Sequence, residues 1–214
     1  MPLTYYGEST IAYPAIFGGV AAPATYYFGL QTTNIWSATT AATSGATYVI
    51  PTTFDTFATP GTGTNRIFVA SSTGTTSGTE PNWSSVSAGG TIVDGTVTWQ
   101  DVASTTSPFW LSTSPSFNEV SIAGTNYSRV AYSNTTTNFP APSGTNPTTG
   151  TNANIVSFPT SSASWGTLAA ITIHNAITGG NVIGFAYLSK HLTVASSGTT
   201  PSIPALTGLS LSLT

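Results

Sequence analysis

Nine charged side chains have to serve a chain of 214 residues, and that scarcity constrains the fold more than any other feature. They are Glu8, Asp55, Arg66, Glu80, Asp94, Asp101, Glu119, Arg129 and Lys190, or 4% of the chain. An ordinary soluble domain carries roughly 25%. A water-facing helix normally draws its polar face from Lys, Glu and Arg. Here Thr, Ser, Asn and Gly must wet the surface, and no Ala/Leu/Glu/Lys helical run occurs. Such residues favour short strands joined by turns. The expectation is an all-β chain folded as an antiparallel β-sandwich. One short helix is expected at residues 9–17, with Ser9 as its cap and Pro14 sitting badly in its interior.

The strands can be placed. Residues 24–30, 47–50 and 65–70 are aromatic and β-branched runs. Residues 91–99 form a hairpin around Asp94-Gly95, a favoured type I′ dipeptide. Residues 169–174 and 182–188 form a second hairpin, turned at 178–181 by Thr-Gly-Gly-Asn. Alternating leucines at 206, 209, 211 and 213 end the chain as a strand. Residues 71–78, all Ser, Thr and Gly, are expected to be loop. Residues 135–154 hold little to bury. A structureless stretch of that length is uncommon inside a compact domain, so an extended arm lying on a neighbouring subunit is expected. Residues 34–107 have their own hairpin, their own aromatics and five of the nine charges. They are expected to be a small β module inserted into a sandwich built from residues 1–33 and 108–214.

Composition also excludes function classes. With no cysteine, disulfide scaffolds and thiolate metal centres are out. Three scattered basic residues and a net charge of −3 cannot neutralise a phosphate backbone, so no nucleic-acid partner is expected. No run approaches about 18 apolar residues, so no membrane span is expected. Residues 1–7 lack the pattern of a secretion signal, which suits a protein assembled in the cytoplasm. A chain so poor in charge is expected to cover much of itself with copies of itself or with a partner.

Candidate chemistry is thin. There are two histidines, His174 and His191. A triad would have to join His174 to one of many serines and to Asp101 or Glu119, and no Gly-x-Ser-x-Gly elbow surrounds any serine. Asp94 is better explained by its turn, and Glu119 and Arg129 are candidates to pair across strands. Closely spaced oxygen ligands for a metal are missing from the sequence. The expectation is therefore no enzyme, no metal and no cofactor. The tryptophans are the remaining candidates, since indole faces stack on sugars. Trp83, in the loop Pro81-Asn82-Trp83, is the best candidate for exposure, and Asn82 and Trp99 accompany it as candidate glycan or partner contacts.

Two blocks carry a resemblance. The first is Ile16-Phe-Gly-Gly19 followed by Pro23-Ala-Thr-Tyr-Tyr-Phe-Gly-Leu30. The second runs through Asn118-Glu-Val120, Gly124-Thr-Asn-Tyr-Ser-Arg-Val130, Phe158-Pro159, Trp165-Gly166, His174 and Gly179-Gly-Asn181. In this order they resemble small tailed-phage virion proteins labelled tail-fibre-like or head-decoration-like. The resemblance covers about two-thirds of the chain, and residues 34–107 depart from the shorter members. It implies a β-rich structural protein at the virion surface, on the capsid exterior or the tail. The function expected from it is capsid decoration: cementing the shell through contacts with the major capsid protein, other virion proteins and copies of itself. A trimer is the natural expectation on an icosahedral shell. The alternative is a tail-fibre or baseplate adhesin that binds host-surface glycan.

Overall fold

The structure, a computed structural model, describes residues 21–54, 66–102, 118–141, 148–205 and 210–213. The expected helix at 9–17 and the leucines at 206 and 209 lie outside these residues. Among the described residues, fourteen strands run in chain order: β1 (Thr25–Ile35), β2 (Ala41–Ala42), β3 (Tyr48–Ile50), β4 (Phe68–Ala70), β5 (Gly74–Thr75), β6 (Thr91–Asp94), β7 (Val97–Asp101), β8 (Val130–Ser133), β9 (Thr148–Thr151), β10 (Val156–Ser157), β11 (Gly166–His174), β12 (Val182–Val194), β13 (Ser202–Ile203) and β14 (Ser210–Leu213). The described residues contain no α-helix, only a single 3₁₀ turn at Trp83–Ser85. The fold is all-β and sandwich-like, as composition requires.

β1 organises the molecule. It is flanked on one side by β11, antiparallel, which continues into β12 as a long hairpin. Its other partners follow in succession: β8 antiparallel at Thr25–Phe28, a single bridge from Gln31 to Glu119, and β3 at Asn34 and Ile35. The β3 pairing is parallel, a departure from the all-antiparallel expectation. Twelve residues between β1 and β3 give the chain enough length to cross over, which a parallel neighbour demands. The sheet then runs on through β4, β7 and β6. Three two-stranded ribbons, β10–β13, β14–β9 and β2–β5, complete the fold.

Side-chain alternation along β1 divides its two faces. Phe28 and Leu30 point into an apolar cluster with Val120, Tyr132, Val156, Phe158, Trp165, Leu168, Ile171 and Ile203. This core lies between the β1–β11 sheet and the β10–β13 ribbon. A second cluster joins Val49, Phe68, Trp83, Val97 and Trp99, all from residues 34–107. A third, around Ile50, Val69 and Val102, reaches Ala169 on β11. Residues 34–107 thus keep a core of their own while extending the same sheet.

Two local expectations are corrected. Residues 71–78 are not all loop, because Gly74 and Thr75 pair with Ala42 and Ala41. The hairpin turn is centred on Gly95-Thr96, with positive φ at Gly95 alone (63°). That is the pattern of a type II′ turn rather than type I′. A Cβ at Gly95 would also lie 2.4 Å from the Thr75 carbonyl, so glycine is required twice over. The described part of 135–154 makes contacts within its own chain. Phe139 packs edge-on against Tyr26 and Tyr132, and Asn152, fully buried, donates to the Asn154 and Pro204 carbonyls. Thr148–Thr151 pairs with the last strand. Polar residues here satisfy backbone groups inside the fold.

Candidate functional site

The structure buries both tryptophans singled out above, Trp83 and Trp99. Trp83 is 3% exposed and packs on Phe68 with ring centroids 4.4 Å apart. Its indole N–H donates to Glu80 at 2.8 Å, so a loop carboxylate allows a loop indole to be buried. Trp99 is fully buried. Of the three candidates, Asn82 alone is exposed, and its side-chain oxygen caps the 3₁₀ turn at Ser84 N–H. The partly exposed indole of this region is Trp36. It shares the Asp94 carboxylate with Trp99: both indole N–H groups donate to Oδ2, at 2.8 and 3.0 Å, and the Ser77 N–H donates to Oδ1 at 2.8 Å. Burial would raise the Asp94 pKa, but the hydrogen bonds from Trp36, Ser77 and Trp99 outweigh it and hold the carboxyl below its ordinary value.

Beside this cluster opens a shallow cleft of about 210 Å³, lined by Asn34, Ile35, Ser37, Thr40, Thr47 and Thr76 among others. Its lining mixes these hydroxyl and amide groups with apolar Ala42, Val49, Trp99 and a half-exposed Ile35, and holds no charged group.

The second polar assembly sits on the face of β1 opposite the apolar core. Gly29 lies across from Thr172 in the β1–β11 register, and Gln31 lies diagonal to it. With no side chain at Gly29, three groups converge there. A Cβ at that position would meet Glu119 Oε1 at 3.0 Å, Thr172 Oγ1 at 3.0 Å and His174 Nε2 at 3.1 Å. Gln31 Nε2 donates to Thr172 Oγ1 at 2.6 Å, and the Thr172 hydroxyl is 2.8 Å from His174 Nε2. With His174 in its Nδ1–H tautomer, the Thr172 hydroxyl donates to Nε2 while accepting from Gln31. Gln31, Thr172 and His174 are all buried, and Gln31 Oε1 and His174 Nδ1 have no hydrogen-bond partner.

Arg129 closes the assembly. Its Nη2 and Nε grip Glu119 in a fork at 2.7 and 2.8 Å, while Nη1 donates to the carbonyls of Ala176 and Gly179, each at 2.7 Å. The Tyr127 hydroxyl donates to Glu119 Oε1 and accepts from the Leu30 N–H. One residue therefore ties the loop before β8 to the turn of the β11–β12 hairpin. Burial works to raise the Glu119 pKa, and Arg129 and Tyr127 override it to hold the group below its usual value. The sequence suggested the Glu119–Arg129 pair and linked His174 to Asp101 or Glu119. The structure brings His174 to Glu119, while Asp101 pairs with Arg66. Thr172 and Gln31 were missed. The Thr172–His174 spacing marks one strand face, but Gln31 enters only through the register.

A pH dependence follows from His174. Burial, aided by Arg129 and opposed by Glu119, lowers its pKa from 6.5 to about 4. Above pH 6.5 the ring is neutral folded and unfolded, and it contributes no pH dependence. As pH falls from there towards 4, the unfolded chain binds a proton that the folded chain refuses. Stability is expected to drop by about 3 kcal/mol over that window. Urea unfolding at about pH 7 and about pH 4.5 measures it. The His174→Gln variant should show a much flatter profile there. Asp94 and Glu119, with lowered pKa values, add a further loss only below the ordinary carboxylate range.

Over residues 103–207 the chain matches the model of a family described as podophage GP4 fiber I protein gp80. None of the curated proteins matches it. The match, over just under half of the chain, supports a tailed-phage virion protein with a fibre-like label.

Proposed function

We propose that the chain is a subunit of a tail fibre, working by assembly and contact rather than by chemistry on a substrate. The observation that carries this is the match of residues 103–207 to a podophage fibre protein. The disposition of charge supports it. Of the seven charged side chains described, six are tied inside the molecule: Arg66 to Asp101, Arg129 to Glu119, Glu80 to Thr52 and Trp83, and Asp94 to its two indoles. Among them, Lys190 alone is exposed. The face left outside is hydroxyl, amide and isolated apolar side chains, suited to other copies of the chain and to neutral sugars. The cleft beside Ile35 is the place where a host glycan would be held, with Asn34 and the threonines as hydrogen-bonding groups.

Capsid decoration is the second reading, favoured by the same charge-poor surface. Copy number decides between them. Quantitative mass spectrometry of purified virions, scaled to the major capsid protein, is expected to give a few to a few dozen copies of the chain. Hundreds of copies in simple ratio to the capsid protein would overturn the fibre assignment and make this a shell protein.

A further inference from the structure

We propose that Thr172 and Gln31 become joined by an intramolecular ester bond, with His174 as the base that forms it. The three side chains meet with the partners such a reaction needs. A hydroxyl becomes a nucleophile when a neutral imidazole takes its proton, and Thr172 Oγ1 lies 2.8 Å from His174 Nε2. The electrophile is the side-chain amide of Gln31, whose nitrogen is 2.6 Å from the same oxygen. Its carbon is one C–N bond further, so it lies within about 4 Å of Oγ1. Attack geometries need about 3–3.5 Å, a shift of well under a bond length.

The step balances without any added reagent. Thr172 Oγ1 bonds to Cδ of Gln31 as its proton passes to His174 Nε2. The Cδ–Nε2 bond then breaks, and His174 returns that proton to the departing nitrogen. The products are the Thr172–Gln31 ester and one ammonia, with His174 neutral again. Burial keeps His174 unprotonated near neutral pH, and the Glu119 carboxylate at the same point above Gly29 stabilises the imidazolium of the intermediate. Thr172 is fully buried, and Gln31 and His174 are each 4% exposed, so water that would hydrolyse the ester is excluded.

The unreacted amide is also poorly housed. Gln31 Oε1 is buried with no hydrogen-bond partner, an arrangement that costs free energy. Conversion to an ester removes the amide N–H groups and leaves a weaker acceptor. Gly29 leaves room for the encounter, since a Cβ there would crowd the hydroxyl and the imidazole at 3.0 and 3.1 Å.

Intact-mass spectrometry of the purified full-length protein, denatured after several days near neutral pH, tests this directly. The expected mass is about 17 Da below that of the sequence, the mass of one ammonia. A chymotryptic digest should contain the Gln31 peptide joined to the Thr172 peptide, and hydroxylamine should separate them. Thr172→Val, which keeps the shape of the side chain, and His174→Gln should both return the full sequence mass. Wild-type protein that is folded by circular dichroism yet has the full sequence mass would overturn the proposal. So would a mass loss that survives in Thr172→Val, because it would then arise at another residue.

Discussion

Replacing Arg129 with methionine is expected to destabilise the fold by about 4 kcal/mol, the range for breaking one partner out of a largely buried ion pair. Methionine fills most of the space, so the loss is electrostatic rather than a cavity. Glu119, whose side chain is 24% exposed beside Arg129, would be left without its cation. The carbonyls of Ala176 and Gly179 would each lose a charged donor. Urea unfolding gives the magnitude, and hydrogen exchange gives the place. Amides in the 175–181 turn should exchange faster in the variant while those of β7 are unchanged. The Glu119→Gln, Arg129→Met double variant should cost clearly less than the sum of the two single changes. A loss below about 1 kcal/mol in Arg129→Met would mean that the pair behaves as an exposed one.

The second large effect is expected at Asp94. Asp94→Ala leaves three donors without their acceptor: the indoles of Trp36 and Trp99 and the Ser77 N–H. Trp99 is fully buried, and water reaches it only if the local packing opens. At roughly 1–3 kcal/mol for each unmet buried group, part of it recovered by Trp36 at the surface, the expected loss is about 4 kcal/mol. Asp94→Asn keeps an acceptor oxygen but forfeits the charge, and should lose about half as much. Unfolding followed by tryptophan fluorescence reports both the stability and the change around the two indoles. If alanine and asparagine are equally mild, the carboxylate serves the turn alone and not the indoles.

Much of the architecture was legible because it depends on local pattern. The 91–99 hairpin and the 169–188 hairpin show their alternation and their glycines, and both form, the second longer than alternation alone suggested. What was not legible depends on partners distant in the chain. Trp83 stands in a Pro-Asn-Trp-Ser segment that reads as exposed loop. It is buried because Phe68 supplies a ring and Glu80 an acceptor. The parallel pairing of β1 with β3 has no local signature. Residues 135–154 look bare of apolar groups, yet asparagines such as Asn138 and Asn152 anchor them by bonding main-chain carbonyls. The polar assembly was half visible: Glu119, Arg129 and His174 are rare residue types and drew notice. Thr172 and Gln31 are common types, placed together only by the strand register.

Because the described charges are spent almost entirely on internal bonds, little remains on the outside for dissolved ions to screen. Contacts made by such a surface should hold in dilute buffer and in brine alike, since no Debye length governs them. The same economy means that encounters are not electrostatically steered, so in the proposed fibre a partner would be met at an unassisted rate of about 10⁵–10⁶ M⁻¹ s⁻¹. A particle that holds several copies side by side compensates by avidity: once one copy touches, its neighbours are already at high local concentration. In the proposed fibre, such a chain would take its grip from number rather than from charge and keep it across changing ionic surroundings.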